Sequence, residues 1–124
     1  MIPKRLLHMP TEAEEHRILA TYLDTLRYVW CHPPNGGRRD ARTGRTLKSM
    51  GVKAGVPDFL IFSGPHGAIL PCKGIAIELK RRKASPPTPQ QKAWIAELSR
   101  LGWFACIARG ADKAIEQLTK AEAY

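Results

Sequence analysis

Two acidic side chains and a lysine lie at the ends of two apolar segments, with types and spacing suited to binding a divalent cation. Asp58 directly precedes the apolar run 59–62, and Glu78 and Lys80 belong to the Ile-rich segment 74–80. If these segments are neighbouring strands, the two carboxylates can converge, and a cation between them would keep both ionised. Hard cations such as Mg²⁺ take oxygen ligands and retain several waters. A lysine beside such a cation suits phosphodiester hydrolysis, in which negative charge develops on phosphate.

The alternation of side chains along segment 74–80 makes its charged pair unusual. Successive side chains of a strand point to opposite faces, so one face carries only apolar residues: Ile75, Ile77 and Leu79. Glu78 and Lys80 share the other face with Ala76. Burying such charges costs free energy unless they are paired or hold a metal. A simple ion pair at a strand end is the alternative interpretation.

The range 11–28 is predicted to be a helix that could complete the site. Thr11 is a good N-cap, and an apolar stripe follows at helical spacing. Glu12, Glu15 and His16 fall on the same side as this stripe, so a carboxylate there could reach over a sheet edge toward the metal. Acidic residues are also favoured near any helix N-terminus, and the spacing leaves open which of the two glutamates is involved.

The remaining elements are predicted from apolar runs, caps and turn residues. Segment 31–55 is rich in Gly, Pro and Arg and is interpreted as a loop, with a short helical turn near Leu47. Strands are expected at 58–62, 68–71, 74–80 and 103–108, and helices at 88–101 and 111–123. This order indicates an α/β fold, a mixed sheet with helices on both sides, in one domain spanning residues 1–124.

The charge of the chain points to a polyanionic partner. The 124 residues carry a formal net charge of +9, and residues 38–83 hold eleven basic side chains against three acidic ones. Such a concentrated positive field is typical of nucleic-acid binding, although a merely solvated basic surface is the alternative. The candidate DNA contacts are Arg38, Arg39, Arg42, Arg45, Lys48, Lys53, Arg81, Arg82 and Lys83.

Composition excludes several other classes of protein. The 44% hydrophobic and 25% charged residues are those of an ordinary globular chain, and no apolar run approaches the roughly 18 residues of a membrane helix. The three cysteines are an odd number without a CxxC pair, which argues against a disulfide framework or a cysteine zinc site. We therefore expect a cytoplasmic protein with no membrane association.

Several stretches together resemble a known nuclease family. Pro57-Asp58 followed by Glu78-Leu79-Lys80 spells the signature of the PD-(D/E)xK superfamily. The stretches HPPNGG, LKSMGVKAGVPDFLIF, AIELKRRK and SPPTPQQKAWIAELSRLGWFACIARGADKAIEQL resemble the VRR-NUC (virus-type replication-repair nuclease) family in its small stand-alone form. The opening TEAEEHRILATYL resembles that family's first helix, so that the resemblance covers most of the chain.

The resemblance implies a restriction-endonuclease-like αβββαβ core and a metal site. Asp58 and Glu78 would be the main ligands of Mg²⁺ or Mn²⁺, the backbone carbonyl of Leu79 would add a third oxygen, and Glu12 would reach the metal through water. Lys80 would be the catalytic lysine. In-line attack of a metal-activated water on a phosphodiester is the expected chemistry.

Two further positions and the partners also follow from the resemblance. Gln91 matches a glutamine that packs near the active site, although a capping box with Thr88 explains it equally well. His16 stands where the family often has glutamine, so its role is open. Small members are similar to junction-resolving enzymes, which implies a homodimer that cleaves branched DNA such as Holliday junctions in a bacterial or phage-infected cytosol.

The sequence leaves two alternatives to a structure-selective DNA endonuclease. A nucleic-acid-binding module could keep the fold without the chemistry, but such a relic usually lacks a member of the set formed by Asp58, Glu78 and Lys80. A sequence-specific restriction-type nuclease would need a recognition element, for which the chain has little room. The complete set favours the metal-dependent endonuclease.

Overall fold

The computed structural model describes residues 9–34 and 41–124. Its elements are α1 (Glu12–Thr25), β1 (Trp30–Cys31), α2 (Ala41–Ser49), β2 (Phe59–Ile61), β3 (Ile75–Lys80), α3 (Pro89–Arg100), β4 (Phe104–Arg109) and α4 (Ala111–Glu122). Among the described helices, none combines the length and apolar character that crossing a bilayer requires.

The strands form one mixed sheet in the order β1-β2-β3-β4. β2 pairs antiparallel with both β1 and β3, and Phe59 lies opposite Ile77. β3 and β4 run parallel, joined through α3 in the crossover that parallel strands require. The sheet therefore brings the beginning of β2 next to the end of β3.

Helices cover both faces of the sheet. α1 and α4 contact each other and β3, and their buried apolar residues join one core with the apolar face of β3. The largest members of that core are Leu19, Leu23, Phe59, Ile61, Ile75, Ile77, Leu79 and Leu118. α3 contacts β3 and β4 but contributes no residue to this cluster, so it lies on the opposite face. The predicted α/β architecture is confirmed.

Segment 31–55 is more structured than predicted: the helical turn near Leu47 is confirmed as part of a longer helix, whereas the prediction of a loop is wrong at Cys31 and over the rest of that helix. β1 ends at Cys31, and α2 occupies Ala41–Ser49. A two-residue strand is too short to show an alternating pattern, and Gly44 within α2 lowers the helix propensity of its sequence.

The apolar segment 68–71 is not a strand, which corrects a second prediction. After β2 the chain makes a 3₁₀ turn at Pro65–Gly67, in which His66 has a φ of +56°. The Gly64 N–H donates to the carbonyl of Ala68 at 2.7 Å, and Ile69 is 95% exposed. The chain thus turns back toward β3 without adding a strand. Three strands still precede α3, because β1 pairs with β2.

Candidate metal centre and nucleic-acid surface

Asp58 and Glu78 meet at the junction between β2 and β3. Continuing the register of this pair by one residue puts Asp58 opposite Glu78 on the same face of the sheet. The carboxylate of Asp58 accepts a hydrogen bond from the Leu79 N–H at 2.9 Å, which fixes its position against β3. The prediction that these two strands are neighbours is confirmed, and it brings together two acids that are 20 positions apart in the chain.

Pro57 leaves a backbone oxygen of β3 without its usual partner. Successive residues of a strand direct their backbone N–H and C=O groups to alternate sides. The carbonyls of Gly74 and Lys80 accept N–H groups on the β4 side, so Leu79, which directly precedes Lys80, directs its backbone groups toward β2. The residue opposite Leu79 in this register is Pro57, which has no N–H to donate. The Leu79 carbonyl therefore faces the side where Asp58 lies and can act as a third oxygen ligand.

The electrostatics of Glu78 fit a site built for a cation. Burial, with only 3% of the residue exposed, together with a hydrogen bond to Asp58 and the negative charge of Asp58, raises the pKa of Glu78 to about 9. Lys80 acts in the opposite direction, and Glu12 adds a further negative charge. Without a metal, a proton between the carboxylates relieves their repulsion, and a divalent cation would take the place of that proton.

The donor set suits a hard cation that retains water. In residues 9–34 and 41–124, no three His, Cys, Asp or Glu side chains are grouped as a complete metal site. Mg²⁺ is commonly held by one or two carboxylates, with waters and substrate oxygens filling its octahedron. Asp58, Glu78 and the Leu79 carbonyl match that requirement, with Glu12 near enough for its charge to act on Glu78.

We expect the metal-free protein to become less stable as the pH rises from about 5 to about 9. In the unfolded chain Glu78 ionises near 4.5, whereas in the folded protein it keeps its proton until about 9. The folded state then binds more protons than the unfolded state, so the free energy of unfolding falls by at most about 1.4 kcal/mol per pH unit. Denaturant titrations in chelator across this window measure the slope.

Glu78→Gln supplies the control for this pH dependence. It keeps the shape of the side chain but removes its titration, so the slope attributed to Glu78 should disappear. Equal slopes in the two proteins would contradict a buried carboxyl that shares its proton with Asp58.

Glu12 and Glu15, two of the three glutamates on α1, have different surroundings. Glu15 is buried, and its Oε2 accepts the backbone N–H of Ala111 at 2.6 Å. This bond caps α4, whose N-cap residue Gly110 supplies no side-chain bond. A Cβ on Gly110 would lie 2.7 Å from Glu15 Oε2, which explains the glycine at this close approach. Glu15 is thus engaged in holding α4, whereas Glu12 is exposed and its role as a metal ligand stays a prediction.

Glu15→Ala is expected to destabilise the protein by about 1–3 kcal/mol, because the buried Ala111 N–H loses its charged acceptor. The matched control is Glu12→Ala, which removes an exposed acid from the same helical turn and should cost less than about 1 kcal/mol. Chemical denaturation measures both changes. Equal losses for the two variants would be inconsistent with a capping role for Glu15.

Two histidines lie beside Asp58. His32 Nδ1 is 2.6 Å from the backbone carbonyl of Asp58, and its ring is 4.4 Å from the ring of His16, centroid to centroid. Burial and, next, the neighbouring His32 lower the pKa of His16, which favours the neutral imidazole. Both rings border an open groove of about 290 Å³ that also includes Glu12 and Arg17. The sequence around His32 contains no signal of this contact.

Gln91 forms the predicted capping box at the start of α3. Its side-chain oxygen accepts the Thr88 N–H at 2.9 Å, and its own N–H donates to the Thr88 hydroxyl at 3.2 Å. The capping interpretation is confirmed, whereas contact between Gln91 and the metal site stays a prediction.

The basic side chains divide into two groups around the carboxylates. Arg38 and Arg39 lie outside the described residues, as does the side chain of Arg42. The described members are all exposed: Arg45, Lys48, Lys53, Arg81, Arg82 and Lys83. The second group follows Lys80 directly at the end of β3, and Arg82 is 3.2 Å from Asp112. Lys53 lies five positions before Asp58. Positive charge thus flanks both segments that supply the carboxylates.

Comparisons with known proteins find one matching family model and a similar solved structure. Residues 10–112 match the family model of the VRR-NUC domain. A solved structure described as a VRR_NUC domain protein is 26% identical, with a TM-score of 0.73, and the match covers 92% of this chain and 89% of that chain. No curated protein matches the sequence. The matched range includes both strands that carry the acidic pair.

Proposed function

This chain belongs to the VRR-NUC family of nucleases, and from that premise we propose that it is a metal-dependent DNA endonuclease acting at the Asp58–Glu78 pair. The observation that carries the proposal is the pairing of β2 with β3, which sets the two carboxylates opposite each other with Lys80 as the next charge on the same face. A fold kept only for binding would have no need to bury Glu78 beside a second acid, because such burial is costly.

The residues of the site have separable tasks in this proposal. When bound, Mg²⁺ or Mn²⁺ supplies Lewis-acid chemistry by lowering the pKa of water and neutralising phosphate charge. Asp58, Glu78 and the Leu79 carbonyl would hold the cation, and Glu12 would orient water beside it. Lys80 places its ammonium where it can orient the attacking water or offset the charge that develops on the phosphate. In-line attack of water on the phosphodiester is the proposed reaction.

The DNA backbone is proposed to lie across the basic residues that flank the carboxylates. Arg45, Lys48 and Lys53 precede Asp58, and the run Arg81–Lys83 follows Lys80, so both sides of the site can contact phosphate. Such contacts are largely independent of sequence and weaken steeply with salt. A preference for branched DNA such as four-way junctions, and action as a homodimer, are proposed from the family resemblance.

One experiment tests the proposal directly. Purified protein is incubated with supercoiled, linear, single-stranded and four-way-junction DNA in Mg²⁺, Mn²⁺ or chelator. We expect cleavage only with a divalent cation and fastest on the junction. Salt-sensitive binding without cleavage under any of these conditions would overturn the proposal and favour a non-catalytic binding module. Sedimentation of the same preparation tests the homodimer.

A further inference from the structure

A second pocket lies on the α3 side of the site and is not used by the proposed chemistry. Its volume is about 270 Å³, near the lower end of small-ligand sites. Its walls come from the segment after β1, the segment after α2, and α3: Pro33, Pro34, Gly51, Val52, Lys53, Val56 and Trp94. We name it the Trp94 pocket. Among the described residues that line it, only Lys53 has a polar side chain.

The Trp94 pocket is a built feature because its aromatic wall is held in place. The indole Nε1 of Trp94 donates to the carbonyl of Ala54 at 3.1 Å, which ties the ring to the segment after α2. In that segment Gly55 has a φ of +86°, and a Cβ there would lie 2.6 Å from the backbone of Gln90. The segment is therefore packed tightly on the first turn of α3.

The chain path places this pocket close to the carboxylates. Val56 is two residues from Asp58 through trans peptide bonds, so their Cα atoms are at most about 7.6 Å apart. Pro33 follows His32, whose ring contacts the Asp58 carbonyl. Neighbouring bases of one DNA strand are about 3.4 Å apart along a duplex, so Val56 on the pocket wall lies within about two to three base steps of Asp58.

The positive charge around the pocket suits the phosphate of a nucleotide, and its apolar lining suits the base. Lys53 is on its wall, and α2, which carries the exposed Arg45 and Lys48, leads into it. Glu97, which lines a separate pocket together with Trp94, is paired with Arg100 at 2.8 Å. Aromatic surface beside cationic side chains is the combination by which proteins hold single-stranded bases and their phosphates.

We propose that the Trp94 pocket binds one unstacked base of the DNA substrate, a few nucleotides from the phosphate at the acidic pair. The inference rests on the proposed function and adds a source of structure selectivity to it. A base inside an intact duplex must first leave the stack, which costs a few kcal/mol, whereas an unpaired base at a branch or bulge reaches the pocket at little cost. The pocket thereby favours DNA that contains an unpaired nucleotide.

Binding in chelator tests this inference without relying on cleavage. Three labelled duplexes of equal length are compared by fluorescence anisotropy: fully paired, with one bulged nucleotide, and with one bulged abasic residue. We expect the bulged base to tighten binding about tenfold over both other duplexes, since stacking of a base on an aromatic side chain has about this effect. Equal affinity for the abasic bulge would overturn the proposal, because only backbone flexibility would then matter.

Variants of Trp94 locate the effect. Trp94→Ala should abolish the advantage of the bulged base, and Trp94→Phe should keep most of it. Leu101→Ala, an exposed change at the other end of α3, is the matched control and should leave the advantage intact. An advantage that survives in a folded Trp94→Ala protein would exclude the pocket. If that variant does not fold, the abasic comparison on the unmutated protein decides alone.

The two proposals fail in different experiments. An unmutated protein that cleaves DNA with Mg²⁺ but shows no advantage for the bulged base refutes only the base pocket. A protein that prefers the bulged base and cleaves nothing with Mg²⁺ or Mn²⁺ refutes only the endonuclease.

Discussion

Asp58→Asn is expected to slow DNA cleavage by about 10³-fold or more while leaving a folded protein that still binds DNA. The amide keeps an oxygen that can accept the Leu79 N–H, now bonded to the carboxylate at 2.9 Å, so the junction of β2 and β3 is preserved. It removes the charge needed to hold a divalent cation, which is worth several kcal/mol of transition-state stabilisation at 1.36 kcal/mol per tenfold in rate. Single-turnover cleavage and anisotropy measure the two properties.

Asp24→Asn is the matched control for this change. The Asp24 carboxylate accepts the indole N–H of Trp30 at 2.8 Å, and an amide oxygen can do the same, so its cleavage rate should be unaltered. A second measurement does not depend on activity: Mn²⁺ should raise the melting temperature of the unmutated protein, but not that of Asp58→Asn. Cleavage by Asp58→Asn within a few-fold of the unmutated rate would refute the metal site.

The parts of the fold that were predictable from the sequence are those with strong local signals. β3 is a mostly apolar segment that is long enough to show which of its side chains share a face. α3 begins with a capping box and ends before Gly102, whose φ is +96°. β2 is marked by the apolar residues after Asp58. These signals depend on neighbours within a few positions, so one sequence contains them in full.

The wrong predictions concern segments whose structure depends on distant partners. β1 exists because Trp30 and Cys31 pair with β2, some 30 positions away. The apolar segment 68–71 has the composition of a strand but has no place in the sheet. Propensity cannot distinguish these cases, because sheet pairing depends mainly on tertiary context.

The same distinction applies to the candidate site. The residue types around Asp58, Glu78 and Lys80 indicated a cation site, and their convergence required only that β2 and β3 be neighbours. Distinguishing the role of Glu15 from that of Glu12 required knowledge of α4, which begins 96 positions after Glu15. The contact of His32 with Asp58 is likewise a product of chain folding. Spacing along one helix could not reveal either contact.

Lys80→Met is expected to lower the cleavage rate by about 10²- to 10³-fold while changing the free energy of unfolding by about 1 kcal/mol or less. Methionine keeps most of the apolar length of the half-buried side chain and removes its charge. A fixed positive charge beside the reacting phosphate stabilises the transition state more than the bound substrate. Loss of one such group typically lowers the rate by about 10²- to 10³-fold. The same charge counters Glu78 only in part, because burial dominates the raised pKa of Glu78.

Rate and stability must be measured on the same preparation, because Lys80 also faces a buried acid. Single-turnover cleavage at saturating Mn²⁺ gives the rate, and denaturant titration gives the stability. Lys92→Met, which removes an exposed lysine from α3, is the matched control and should alter neither. If Lys80→Met loses activity only in proportion to its unfolded fraction, Lys80 serves as an ion pair at a strand end. The proposed reaction would then lack the ammonium group beside Glu78 on which it depends.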